Sequence, residues 1–232
     1  MITQVDKYIE DYADAGADII FPEALTTEKE MERFNKEINS SEDLKGLKMR
    51  IPGLGGTVMS KLGASPVSLP GGQIYENLVS GSIDATEWVG PYNDLTFGFH
   101  QIAKYYYYPG WHEPGSMLEL LINKDEWDQL PNHLKAIIET AAKAVNQDIL
   151  DEYTAKNNSA LRELVDTHNV ELRKLPDDVI NEFKLIANQI LEENAKKDEM
   201  VNKVYQSYKS FKKDVSEYHK VSEDAFVEAR NN

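Results

Sequence analysis

Two stretches of the 232-residue chain carry side chains able to handle charge. In LKGLKMRIPG, Arg50 closes a strand-like alternation just before a glycine-rich turn. A guanidinium held there can grip a carboxylate through two parallel hydrogen bonds, a geometry that lysine cannot copy. In IDATEWVGPYND, Glu87 stands beside Trp88 at the end of a second strand-like run. Glu87 is a hard oxygen donor suited to Na⁺ or Ca²⁺, the Trp88 carbonyl could supply a second oxygen, and the indole would form an apolar wall. Each residue also has an ordinary reading: Arg50 on the surface, Glu87 half-exposed, Trp88 in the core.

Other motifs carry less. Gly53, Gly55 and Gly56 match the spacing of neither the P-loop nor the dinucleotide fingerprint, so they read as a turn. His112 and Glu113 in WHEPG resemble a zinc-protease pair, but Pro114 follows and no second histidine stands at the required offset. His100, His133, His168 and His219 are scattered and read as surface or packing residues. The run Tyr105–Tyr108 alternates faces on a strand, which predicts two rings inward and two outward. Core packing is the default there; a place at a cavity mouth, for Tyr106 or Tyr108, is the alternative.

The totals bound the partners. Lys and Arg number 25 against 40 Asp and Glu, a formal charge of -15 that repels nucleic acid and anionic lipid alike. A small anion remains possible, because a local cation acts at contact distance. With no cysteine, thiolate chemistry, disulfides and cysteine-based zinc sites are excluded. No apolar run approaches the roughly 18 residues that cross a bilayer. The opening MITQVDKYIEDYADAG has neither the basic nor the apolar region of an export signal, so the chain as written is expected to stay in the cytoplasm.

The elements that must position these residues follow from periodicity. Residues 3–15 predict a helix, Ala17 to Phe21 a short strand, and Thr27 with Glu30 a capping box that opens a helix through Phe34. From residue 40 short strands alternate with helices: strands at Leu47–Ile51, Pro66–Leu69 and Ile83–Trp88, helices at Val58–Leu62, Ile74–Val79 and Leu95–Ala103. This predicts an α/β layer with a mostly parallel sheet, whose cleft lies beyond the carboxyl ends of its strands, where Glu87 and Trp88 fall. Tyr105–Tyr108 and Met117–Ile122 read as two more strands. After Asp125 the chain is helical, with apolar stripes Leu134, Ile137, Ile138, Ala141, Val145, Ile149, Tyr153 and later Val204, Tyr208, Phe211, Val215, all read as core, and a brief strand at Val170–Leu175.

From Phe34 onward, through FNKEINSSEDLKGLKMRIPG, LGASPVSLPGGQIYENLVSGSIDATEWVGPYND and AKYYYYPGWHEPG, the chain resembles the extracytoplasmic solute-binding subunit (DctP type) of tripartite ATP-independent periplasmic (TRAP) transporters. More narrowly it resembles the branch that binds 2-oxo and 2-hydroxy monocarboxylates. The resemblance implies a non-enzymatic, two-lobed, type II-like periplasmic binding protein that closes on a small organic acid, such as pyruvate or lactate, and delivers it to the membrane permease subunits. It implies that Arg50 pairs with the ligand carboxylate, and that Glu87, the Trp88 carbonyl and, less directly, Glu113 hold a bridging Na⁺ or Ca²⁺. Asn93 and Tyr106 join the ligand-binding set.

Against that family the first lobe is largely missing, which predicts weak binding and self-association through an exposed lobe interface. In its place YADAGADIIFPEALTTEKEMERF resembles a helix-strand piece of the isocitrate lyase / phosphoenolpyruvate mutase superfamily, as in methylisocitrate lyase, with Glu23 at an active-site position. The expected organisation is therefore a foreign remnant over 1–33, an α/β ligand-binding lobe over 34–124, and over 125–232 the helical remainder with bracing C-terminal helices. A lyase acting on carbon-carbon bonds is the alternative function, weakened by the absence of that superfamily's cysteine-bearing loop.

Overall fold

The computed structural model describes residues 19–22, 32–113 and 119–231. The predicted helices at 3–15 and 27–31 lie outside these. Strand β1 is Ile19–Pro22 and β2 is Glu32–Phe34. There follow β3 (Lys48–Arg50), α1 (Gly53–Lys61), β4 (Ser65–Val67), α2 (Ile74–Val79), β5 (Ala85–Glu87), α3 (Pro91–Thr96) and β6 (Tyr105–Tyr108). After β7 (Glu119–Ile122) come α4 (Lys124–Gln129), α5 (Asn132–Asp166), β8 (Glu171–Lys174), α6 (Asp177–Ala195), α7 (Glu199–Val221) and α8 (Glu223–Asn231). The chain divides into two units, residues 1–184 and 185–232.

The first unit is built on a six-stranded sheet of order β4-β3-β5-β2-β6-β8, with β1 and β7 paired separately as an antiparallel ribbon. Strand β3 runs parallel to both β4 and β5, and β6 parallel to β8. Strand β2 runs antiparallel between β5 and β6, so the sheet is mostly parallel, as the alternation of elements predicts, with one reversed strand at its centre. That strand corrects the helix expected through Phe34. A three-residue segment hydrogen-bonded on both sides follows its neighbours rather than its local propensity.

The centre of the sheet is buried on both faces. Phe34 and Tyr107 meet edge-on, with centroids 5.2 Å apart, and the Tyr107 hydroxyl accepts a hydrogen bond from the Ile38 amide at 2.8 Å. On the other face Tyr106 packs with Leu164 of α5 and Val170. Of the tyrosine run, Tyr106 and Tyr107 are thus both buried, on opposite faces, while Tyr108 is exposed. A second apolar cluster joins Ile74, Leu78, Ile83 and Phe99 beneath Trp88 and Leu69.

Helix α1 begins five residues before the expected Val58, inside the glycine turn. A Cβ at Gly56 would stand 2.6 Å from the Ile51 carbonyl oxygen, so only glycine lets this helix start so close to the end of β3. Helix α3 likewise starts at Pro91 rather than Leu95, because proline's fixed φ suits the first helical position. A 3₁₀ turn at Phe99–Gln101 replaces the second half of the predicted helix.

The long helix α5 runs without a break through the polar stretch Lys156–Ser159 (KNNS), beyond which the sequence pattern continues at Leu161, Leu164 and Val165. Its predicted apolar stripe is not core: Leu134, Ile137 and Val145 are exposed and Ile138, Ile149 and Tyr153 only half-buried, whereas Ala160 and Leu164 further along the helix are buried. In the second unit α7 is capped by Asp198, whose carboxylate accepts from the Val201 amide at 2.9 Å. Its Val204, Tyr208 and Phe211 are exposed rather than core as expected. No helix among the described residues is long and apolar enough to cross a membrane.

Candidate functional site

Parallel pairing of β3 with β5 sets Arg50 opposite Thr86 and so puts Arg50 and Glu87 side by side at the carboxyl ends of two neighbouring strands. The register is fixed beneath them: the Asp84 amide donates to the Lys48 carbonyl at 2.6 Å, and the Asp84 carboxylate accepts from the Lys48 amide at 3.0 Å. Arg50 donates through Nη1 to Glu87 Oε1 and through Nε to the Leu69 carbonyl at 3.2 Å. Its guanidinium carbon lies 5.2 Å from the centre of the Trp88 ring. Both charged side chains are largely buried, at 12% and 7% exposure.

His112 completes the group. Its Nε2 stands 3.7 Å from Glu87 Oε2, an ion-pair distance rather than a hydrogen bond. The turn that carries it is held by Trp111, whose ring stacks on Phe183 at 4.2 Å and 16°. A Cβ at Gly55 would lie 3.2 Å from His112 Cδ2, so α1 also frames the imidazole. Sequence reasoning misses His112 because the spacing in WHEPG is informative only against a zinc-protease pattern. The available signal is its place in a Pro/Gly-rich corner directly after a strand.

Among the expected site residues, Arg50, Glu87 and Trp88 come together. Glu113 is exposed, beside His112. Asn93, in the first turn of α3, is half-buried, and its Oδ1 is buried without a hydrogen-bond partner among the described residues. Tyr106 belongs to the core rather than to a cavity wall. It has no exposed surface, and its hydroxyl donates to Asp94 Oδ2 at 2.5 Å. Burial pushes its phenol well above the usual tyrosine range, and the Asp94 charge adds to this.

Behind the site lies a charged cluster that the sequence did not disclose. Arg33 of β2 donates through Nε to Asp94 Oδ2 at 3.2 Å, and its guanidinium lies 4.0 Å over the Tyr106 ring. Burial raises the Asp94 carboxyl above the ordinary aspartate range, against the lowering pull of Arg33 and of the Tyr106 hydroxyl. Burial also lowers the His100 imidazole, with His168, whose ring centre lies 4.0 Å away, adding to the effect.

The donor set for a metal is sparse. No cluster of three or more His, Cys, Asp or Glu side chains suited to a metal occurs among the described residues. A cation held at Glu87 would therefore need backbone carbonyls and oxygens of a bound anion. That fits Na⁺ or Ca²⁺, which take oxygen ligands of mixed origin, and not the Cys/His shells of zinc.

Parallel strand ends that bring together a guanidinium, a carboxylate and an indole form a set of groups able to hold a small anion. The chain belongs to the bacterial extracellular solute-binding protein family 7 (DctP), whose profile matches residues 6–198. It is 44% identical over 205 residues to the monocarboxylate 2-oxoacid-binding periplasmic protein of Nostoc sp. (strain PCC 7120), covering 88% of this chain and 56% of that protein. The chain thus spans little more than half the length of this relative.

Among solved structures it is similar to a TRAP periplasmic solute-binding protein from Colwellia psychrerythraea with bound calcium and pyruvate. The TM-score is 0.89 and the identity 38%, with 96% of this chain and 68% of that one covered. It is also similar to one from Pseudoalteromonas atlantica with bound sodium and pyruvate, at a TM-score of 0.87, 38% identity and the same coverages.

The family is one of transport binding proteins, not of enzymes. Its match begins at residue 6, inside the stretch that resembled a lyase remnant. In the structure β1 pairs with β7, and Glu32 and Arg33 lie in the central strand. Nothing in the comparisons supports a lyase, and that reading is withdrawn.

Proposed function

We propose that this chain is the ligand-gripping part of a TRAP-type periplasmic solute-binding protein for a small 2-oxo or 2-hydroxy monocarboxylate such as pyruvate. The observation that carries the reading is the meeting of Arg50 and Glu87 at adjacent parallel strand ends, walled by Trp88. The guanidinium takes the ligand carboxylate as a bidentate partner. Glu87, through its oxygen facing His112, and the Trp88 carbonyl hold Na⁺ or Ca²⁺, whose remaining ligands include oxygens of the acid. Exposed Glu113 is the candidate to complete that shell. The TRAP membrane permease subunits are the proposed recipients of the acid.

Residues 34–124 supply these contacts, and Asn157 and Phe183 of the helical stretch after 125 pack against them. Arg50 binds one anion while Glu87 repels it, so the cation is what converts the pair into a single receptor. The exposed Ile137 and Val145 of α5 make self-association the proposed behaviour of the isolated chain.

The test is calorimetric titration of pyruvate in Ca²⁺, in Na⁺, and in EDTA with a bulky organic cation as the only counter-ion. Saturable binding in the first two and none in the third is expected. Cation-independent binding, or none at all, would overturn the proposal.

A further inference from the structure

The segment Leu69–Pro70–Gly71 approaches the site twice. Its Leu69 carbonyl accepts from Arg50 Nε, and two residues on the chain passes directly against the indole. A Cβ at Gly71 would stand 2.2 Å from Trp88 Cη2, 2.9 Å from Cζ2 and 3.0 Å from Cζ3. These three atoms form the outer edge of the six-membered ring, which therefore occupies the space where a side chain at position 71 would begin. Gly72, the next residue, has nothing within 4 Å of the same construction.

The indole has little freedom to yield. Phe97 lies 5.4 Å from it, and the Arg50 guanidinium lies 5.2 Å from its ring centre. Ring and guanidinium attract through the ring quadrupole, so moving one disturbs the other.

We infer that Gly71 is a positioning residue: its lack of a side chain sets how deeply the Trp88 ring seats, and through the ring it sets where the Arg50 guanidinium points. The segment holds both halves of the anion site, one by a carbonyl and the other by a missing Cβ. The link to affinity rests on the proposed role of Arg50; the link to the Trp88 ring does not.

The experiment compares the parent with Gly71→Ala, Gly72→Ala, Trp88→Phe and the double variant Gly71→Ala/Trp88→Phe. Pyruvate affinity is measured in saturating Ca²⁺, and the indole N–H resonances are recorded by NMR, with that of Trp88 assigned as the one lost in Trp88→Phe. Gly71→Ala is expected to shift the Trp88 resonance, leave those of Trp111 and Trp127 in place, and weaken pyruvate binding about tenfold or more, equivalent to about 1.4 kcal/mol. Gly72→Ala is expected to do neither.

A phenyl ring ends short of the indole's outer edge, so Gly71→Ala should cost nothing further once Trp88→Phe is in place. Should Gly71→Ala fail to fold alone, folding should return in the double variant. An unmoved Trp88 resonance, an equal cost in both backgrounds, or a folding failure that Trp88→Phe does not relieve would overturn the inference. If the parent binds no pyruvate, the proposed function fails, while the resonance comparison still decides the role of Gly71.

Discussion

The Arg33 guanidinium and the Asp94 carboxylate meet with neither side chain more than 1% exposed, joining the central strand β2 to helix α3 directly behind the proposed site. Desolvating both ions is expensive, and the raised Asp94 carboxyl indicates that burial outweighs the attraction of Arg33. Both terminal nitrogens of Arg33 and Asp94 Oδ1 are buried without hydrogen-bond partners among the described residues. Removing one partner strands the other. Arg33→Met or Asp94→Leu alone should cost about 3–5 kcal/mol, and the double variant should be no worse than either single one. Urea denaturation of the three variants measures this; strictly additive losses would show that the two side chains act independently rather than as a pair.

The same carboxyl predicts a pH dependence of definite sign. Its folded-state pKa lies above the ordinary aspartate value of 3.8 because burial disfavours the charge. Between these two values the folded chain binds the proton more than the unfolded chain does. Its contribution to stability therefore falls as pH rises through that window, and the loss is complete above the folded value. Asp94→Asn should remove this slope. Melting temperatures of parent and variant, followed upward from pH 4, should show their difference changing with pH and then levelling off.

Arg50→Lys keeps the charge but loses the planar fork and its stacking on Trp88. Hydrogen bonds to charged groups are worth about 1.5–3 kcal/mol, so pyruvate affinity should drop roughly 10- to 100-fold. Glu87→Gln keeps the shape and removes the cation's charged donor. Its residual binding should no longer respond to Ca²⁺ or to EDTA. Titrations of the two variants side by side separate anion anchoring from cation dependence, and a Glu87→Gln variant with full calcium dependence would move the cation elsewhere.

Much of this site was legible in the residue order, and the rest was hidden for physical reasons. Strands β3, β5, β6 and β8 show as short apolar runs between turn residues, and Arg50 and Glu87 stood out by their place at strand ends. Their contact was not readable, because it depends on two strands 37 positions apart pairing in parallel with one register. Strand β2 was masked by the capping box at Thr27 and Glu30, a local signal that tertiary pairing overrides from Glu32 on. Arg33 looked like any polar residue, since nothing in its neighbours reveals that both flanking strands bury it. Core packing was the default reading of Tyr106, and its alternative place at a cavity mouth stayed open because alternation identifies a face but not how thickly that face is covered.

Asn157 shows how α5 reaches the site from a distance. Its Oδ1 accepts from the Tyr92 amide at 2.9 Å, satisfying one of the first amides of α3, which have no partner within their own helix. Tyr92 also packs edge-on against Tyr153, with centroids 5.8 Å apart. The turn Gly90–Pro91–Tyr92 that follows Trp88 is thus pinned to the long helix by its polar stretch Lys156–Ser159. Asn157→Leu leaves a half-buried amide unpaired, and should cost about 1 kcal/mol or more. Asn157→Asp keeps the acceptor and adds a negative charge at the positive end of α3, so it should stay close to the parent. Thermal denaturation ranks the variants. If the turn fixes the Trp88 carbonyl, Asn157→Leu should also weaken Ca²⁺ binding more than it weakens the Arg50-dependent anion term; equal loss of both would mean that Asn157 supports the fold alone.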